Sequence, residues 1–184
     1  MNANVKTAAP VAIQSMATCD DLAVQTFVSK VPLHDLLFLD RDIRESKVLA
    51  AWRRGIDQGA VHSFVAVADG EIVATTAVIK DPLSWSAHVA DVRLLVLPES
   101  RGKGVGRALL EASIEHAIVQ GAAKLTARMT PDQRGAITLF EESGFRGEAL
   151  LRDQVRDTNG ELHDIAVLSL DVAREQSRTQ ALGS

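Results

Sequence analysis

Apolar residues along the chain fall into two rhythms. Alternating or continuous β-branched runs occupy Val11 to Met16, Ser63 to Val67, Glu71 to Ile79, Val89 to Leu97, Lys124 to Met129, Phe145 to Val155 and Leu162 to Val172. Runs of this length and residue type read as strands. Helical spacing appears between them. Leu22, Val24, Phe27 and Val28 follow Thr18 and Asp20, either of which can cap a helix start with a short polar side chain. Asp42 to Gln58 carries Ile43, Val48, Leu49, Trp52 and Ile56 on one face, and Gly59 stops it. Val105 to Gln120 places Leu110, Ile114, Ala117 and Ile118 together, with Val105, Leu109 and Ala112 widening the stripe as a helix packed on a sheet requires. Pro131 to Glu142 is a shorter helix with proline near its first turn and Gly144 at its end. Asp69-Gly70 and Asn159-Gly160 each predict a tight hairpin, because both pairs tolerate the positive φ such turns need.

The predicted order is β, α, α, β, β, β, α, β, α, β, β. This is a mixed α/β domain of the α+β type, with a largely antiparallel first half and helices against the sheet. The 184 residues suffice for one domain with a real core, expected over residues 11–172. Met1 to Pro10 lacks the basic and apolar regions of a secretory signal and is expected to be a loose leader. Residues 173–184 are polar and are expected to be a frayed tail.

Composition narrows the partners. The formal net charge is −4, and no stretch clusters positive charge, so neither nucleic acid nor an anionic membrane is expected. No apolar run approaches the ~20 residues of a spanning helix. One cysteine, Cys19, allows no internal disulfide, which suits a reducing cytoplasm. Five scattered histidines show no metal-ligand spacing, and no metal is expected.

The candidate chemistry lies in Val96 to Arg107, where a strand runs through a glycine-rich turn into a long helix. Glycines let backbone approach a ligand closely. The first helical turn leaves N–H groups free, with partial positive charge behind them. Together they make an anion site suited to phosphate, and Lys103 and Arg107 add charge. The lysine is not followed by Ser or Thr, so this is no Walker loop. Gly102, Gly104 and Gly106 alternate and the preceding strands form a hairpin, so it is no dinucleotide fingerprint.

Arg101-x-x-Gly104-x-Gly106 between strand and helix resembles the acyl-CoA signature of the GNAT superfamily. Gln133 through Ala136, Leu139 and Phe140 to Gly144-Phe145 resembles that family's second motif. The resemblance covers about Val11 to Val172 and is strongest from Val89 to Phe145. It implies a central sheet splayed between its fourth strand, here Val89 to Leu97, and its fifth, Lys124 to Met129. Leu94, Leu95 and Val96 would line the gap that receives the pantetheine arm of acetyl-CoA. The amides of Gly102, Lys103, Gly104, Val105, Gly106 and Arg107 would hold the pyrophosphate, and Arg101, Gln133 and Phe140 would also belong to the cofactor site. The Val96 amide is the candidate oxyanion donor. The implied activity is direct acetyl transfer to a primary amine of a small molecule or peptide; a non-catalytic acyl-CoA sensor or partner domain is the alternative. A homodimer through an edge strand is a further expectation.

Two departures stand out. Many relatives carry Asn where Gln133 stands, and a Tyr where Phe140 stands, which protonates the departing thiolate; this chain contains no tyrosine. The general base is also open. Asp91 is the first candidate, although regular alternation puts it on the face opposite Val96 unless a bulge resets the strand. His163 or Asp164, adjacent on the strand after Gly160, is a further candidate; His88 is expected to line the acceptor pocket, and Arg128 is read as structural. On the acceptor side, family resemblance points to His34, Asp35, Asp40, Arg41 and Asp42, whose three carboxylates would favour a cationic amine.

Overall fold

The structure is a computed structural model that describes residues 11–182, with side chains described as far as Ser177. The leader expected at residues 1–10 lies outside the described residues. The elements are β1 (Ala12–Ser15), α1 (Asp21–Lys30), α2 (Ser46–Asp57), β2 (Phe64–Ala68), β3 (Glu71–Ile79), β4 (Val89–Val96), α3 (Val105–Val119), β5 (Lys124–Met129), α4 (Arg134–Glu142), β6 (Arg146–Arg156), β7 (Leu162–Asp171) and α5 (Val172–Leu182). A two-residue strand, Val61–His62, pairs with the end of β3. The sheet order is β1-β2-β3-β4-β5-β7-β6. Every neighbouring pair is antiparallel except β4 with β5.

Helices cover both faces, and the core divides accordingly. On one face Val24, Phe27 and Val28 of α1 and Leu49 of α2 pack with Val65 and Leu95 of the sheet. On the other, Leu110 and Ala117 of α3 and Phe140 of α4 pack with Val92, Leu125 and Leu168. The first helix begins as its sequence predicts: the Asp20 carboxylate accepts from the Ala23 N–H at 2.7 Å. Asp69-Gly70 turns β2 into β3 with positive φ at both residues, 51° and 80°.

The sheet parts at one place. β4 and β5 are paired at Val89–Lys124, Ala90–Leu125 and Asp91–Thr126, and no further. Beyond that point β4 stays paired to β3 as far as Val96, and β5 stays paired to β7 as far as Met129. Each strand follows its other neighbour, so a gap opens between them, as the resemblance implied.

Four local expectations change. The second helix starts at Ser46, not Asp42, because the Asp42 carboxylate accepts from the Arg44 N–H at 2.9 Å and holds a turn there. The second hairpin is longer than Asn159-Gly160. Asp157 and Gly160 close a four-residue turn, and Gly160 alone takes positive φ, at 86°, because the Asp157 carboxylate accepts from the N–H groups of Asn159 and Glu161. The pairing of β3 with β4 runs from Ala74–Val96 to Ile79–Asp91 without a shift, so the bulge that would reset alternation is absent from β4. Finally, the polar end is helical as far as Leu182. It continues β7 directly into α5, and Glu175 lies against the Gly144 turn, where a Cβ would sit 2.9 Å from its Cδ.

Candidate active site

Pairing decides which backbone groups of β4 are free. The Leu97 N–H donates to the Val73 carbonyl on β3 at 3.0 Å. Alternation along the strand then turns the polar groups of Val96 and Leu94 the other way, toward the gap. The Val96 carbonyl is occupied there: the Arg101 guanidinium donates to it from Nε and from a terminal nitrogen, each at 3.1 Å. Arg101 also pairs with Asp35, whose side chain is largely buried. The signature arginine thus pins the end of β4 to the segment ahead of α2.

Gly102 and Gly104 follow with φ of 70° and 79°, and a Cβ at either would meet nothing within 4 Å. That open space is the cradle: bare backbone at the N-terminus of α3, with free N–H groups of the first turn beside it. Gly106 is small for a different reason. A Cβ there would lie 3.2 Å from Leu139 and 3.3 Å from Val96, so its absence lets α3, β4 and α4 approach one another. Arg107 pairs with Glu142 of α4. Lys103 makes no side-chain hydrogen bond or ion pair among the described residues and is the uncompensated cation of the cradle.

Between these walls lies a cavity of about 640 Å³. Of the residues singled out for the cofactor, Leu94, Leu95, Val96, Arg101, Gly102, Gly104, Gly106, Arg107, Gln133 and Phe140 line it. Val105 and Lys103 do not; Val105 is buried against Ala66, Ala74 and Leu109. Gln133 accepts from the Thr130 N–H at 3.2 Å, fixing the start of α4. Phe140 is 2% exposed and stands edge-on to Phe145, with ring centroids 5.0 Å apart.

The lining also includes Asp35, Phe38, Arg128, Met129 and Asp132, which sequence reasoning had not placed at the cofactor. They reveal a strap. Residues 34–40 cross the gap and are fastened to both sides. His34 Nε2 meets Asp132 at 2.7 Å. Asp35 takes Arg101, with the Gln133 amide at 3.4 Å. Asp40 accepts from Arg93 of β4 at 2.9 Å and from Arg128 of β5 at 3.5 Å. Burial raises the Asp132 pKa, but the Thr130 hydroxyl and His34 outweigh it, and the carboxyl ends below its ordinary value. Asp42 is also held low, chiefly by its hydrogen bond from Arg44. The three carboxylates expected to favour a cationic amine are therefore each matched by arginine.

A second cavity, about 290 Å³, lies on the α1–α2 face of the sheet. Leu39, Ile43, Val48, Trp52, Val61, Ile79 and Leu95 give it apolar walls, and Asp40, Arg41 and Arg93 its charge. Leu95 lines both cavities. Trp52 is tied down, its indole N–H donating to Ser63 at 3.0 Å.

The candidate bases stand apart. Asp91 lines neither cavity; its carboxylate accepts from Arg93 at 2.8 Å and from the Thr126 hydroxyl at 3.3 Å. With no bulge, it faces away from the side chain of Val96. His163 bonds Asp157 at 3.1 Å, and Asp164 accepts from the Asp153 N–H at 2.9 Å, where β6 bulges. His88, Cys19 and the fully exposed Trp85 line neither cavity. Asp157, Glu161 and His163 bring potential ligand atoms within 4.8 Å, a grouping the sequence spacing did not suggest. Asp157 serves the hairpin turn there, and the His163 hydrogen bond is the main cause of its lowered pKa.

Among the described residues no helix is long and apolar enough to cross a membrane. The chain is similar to N-acetyltransferase 8 of Rattus norvegicus, 33% identical over 92 residues, which are 48% of this chain and 41% of that protein. It is also similar to the streptothricin acetyltransferase of Streptomyces lavendulae, 33% identical over 85 residues, 46% of this chain and 44% of that one. These matches thus span less than half of either relative. Among solved structures, the putative acetyltransferase yncA from Salmonella typhimurium with its cofactor acetyl-CoA superposes with a TM-score of 0.76 at 19% identity, over 89% of this chain and 95% of that one; at that identity the likeness concerns the fold. The family model described as Acetyltransferase (GNAT) family matches residues 30–145, a stretch that holds the strap, the parted strands, the glycine cradle and α4. The chain belongs to the GNAT acetyltransferase family.

Proposed function

We propose that this chain transfers an acetyl group from acetyl-CoA to the primary amine of a small molecule or peptide. The observation that carries the reading is the parting of β4 from β5 beside a glycine cradle: backbone donors face a gap, and a helix N-terminus stands at its end. Unpaired backbone in such a gap calls for a partner, and the amide-bearing pantetheine arm supplies one. The cradle takes phosphate through the first-turn amides and Lys103, while Arg101 and Arg107, already paired, shape it.

Bound acetyl-CoA supplies an activated acetyl group that an amine attacks directly, forming the C–N bond as the C–S bond breaks. The Val96 N–H, turned toward the gap with that of Leu94, would donate to the thioester oxygen as it gains charge. Phe140 gives packing in place of a proton. A thiol with a pKa of ~8.5 leaves without strong assistance, so solvent protonates it. Asp91 stands where the strands part and receives the amine proton through solvent rather than by contact. The acceptor occupies the second cavity, and Leu95 is the wall that the two sites share.

Calorimetry with acetyl-CoA on the wild type and on Gly104→Glu tests the cofactor half. Wild type binds; the variant, with bulk and negative charge in the cradle, does not. If neither binds, the cradle is only structural and the reading falls. Release of CoA with a panel of amines tests the transfer half. The buried Phe140 favours one second reading, an acyl-CoA-binding domain without turnover, which tight binding with no transfer to any amine would establish.

A further inference from the structure

The charges around the second cavity define its occupant more narrowly than the family does. The inference rests on the transferase reading and concerns the chemistry of the acceptor. A polyamine needs uncompensated carboxylates. The carboxylate that lines this cavity, Asp40, already has its charge balanced by Arg93 and Arg128, and the neighbouring Asp91 and Asp42 are held by Arg93 and Arg44. The unmatched charge has the other sign. Arg41 lines the cavity and makes no ion pair or side-chain hydrogen bond among the described residues. Its neighbour in the chain, Asp40, keeps lone pairs beyond those its arginines use, since an ionised carboxylate has about four acceptor sites. A carboxylate and a free guanidinium on adjacent residues therefore stand at the rim of a pocket with apolar walls.

We propose that the acceptor is a zwitterion with an apolar side group, an α-amino acid with an aliphatic or aromatic side chain being the simplest case. Its carboxylate meets Arg41, where the planar fork of a guanidinium suits a two-oxygen anion. Its amine lies on the Asp40 side, which borders both cavities' charged residues and the shared wall at Leu95. The side group fills the space between Ile43, Val48 and Trp52. Alkylamines lack the group that Arg41 would bind, and polyamines bring a second positive charge against it.

Trp52 provides a reporter that does not depend on turnover. The chain has two tryptophans, and the other, Trp85, is fully exposed and lines neither cavity. In a Trp85→Phe background, fluorescence of Trp52 is titrated with leucine, with isoamylamine, which is leucine without its carboxylate, and with spermidine. Leucine is expected to perturb the emission and to bind at least about tenfold tighter than either amine, the size of one good charged contact. Arg41→Gln, at an exposed and unpartnered side chain, is expected to keep the melting temperature and bring the leucine to isoamylamine ratio near one. Acetyl transfer should rank the three in the same order. Isoamylamine or spermidine binding as tightly as leucine, no Trp52 response to leucine, or an unchanged ratio in Arg41→Gln would each overturn the proposal. Acetyl-CoA calorimetry separates the two levels: binding of acetyl-CoA with preference for carboxylate-free amines refutes only the acceptor class, whereas absence of acetyl-CoA binding removes the transferase reading beneath it.

Discussion

Arg101 offers the sharpest test of how the site is built. In the motif it reads as a cofactor-binding residue; in the structure it is spent on Asp35 and on the Val96 carbonyl. Replacing it with methionine keeps most of the stem and removes the charge. Asp35, 13% exposed, is then left with the Gln133 amide at 3.4 Å. Removing one partner of a fully buried pair costs about 3–5 kcal/mol. Half of the Arg101 side chain is in water, so solvent already screens the pair, and the expected cost drops to about 2 kcal/mol. For a domain of this size that lowers Tm by about 4–8 °C in a thermal melt without ligand. Asp35→Asn alone removes the charge that needed Arg101, so the double variant Asp35→Asn with Arg101→Met should lose less than the sum of the singles by about 1 kcal/mol or more. A ligand-free Tm of Arg101→Met within about 1 °C of wild type, together with a collapse of acetyl-CoA affinity, would refute this account. That result would make Arg101 a phosphate ligand and the Asp35 contact incidental.

Three further outcomes are expected. His62 and His116 stack with centroids 3.8 Å apart, and both have lowered pKa values, His62 from burial and His116 from burial and then from His62. Above the unfolded value of ~6.5 neither state is protonated and stability is complete; as pH falls through the lowered folded values the unfolded chain gains protons first, so Tm should fall between pH 7.5 and 5.5, and His116→Phe should flatten that slope. Ser113, fully buried on α3, shares a 2.8 Å hydrogen bond with the buried Thr76, so Ser113→Ala should cost about 1–2 kcal/mol in denaturant unfolding, and adding Thr76→Val should recover part of it; equal stability of Ser113→Ala and wild type would contradict this. Asp91→Asn should lower kcat while leaving acetyl-CoA affinity within about twofold, because the side chain lies outside the cofactor cavity; unchanged kcat across pH would remove Asp91 from the proton path.

The sheet, its helices and the cradle were legible because they are written in local chemistry. Alternation marks strands, a wide stripe marks α3, and glycine marks backbone that must take positive φ or a close approach. Even there, Ser113 sits on the buried face of α3 although its sequence position reads as polar. The strap was not legible in that way. Residues 34–40 are short 3₁₀ and turn segments without a period. Their acids read as available charge until tertiary contact brought Arg93, Arg101 and Arg128 against them from distant positions. Asp91 shows the same limit. Its place at the start of a strand was visible, but only the register with β3 and β5 reveals that alternation is kept and that Arg93 and Thr126 hold the carboxylate.

The cradle and the strap are made of unlike material. The cradle is backbone, held by glycine conformations that side-chain-bearing residues adopt only with strain. The strap is fastened by the tips of charged side chains, which substitution can exchange one at a time. A chain built this way can inherit one half of its chemistry unchanged while the other half drifts. Variation in residues 34–42 can retune what is received without redesign of what is delivered, and relatives of this chain should differ most in that stretch.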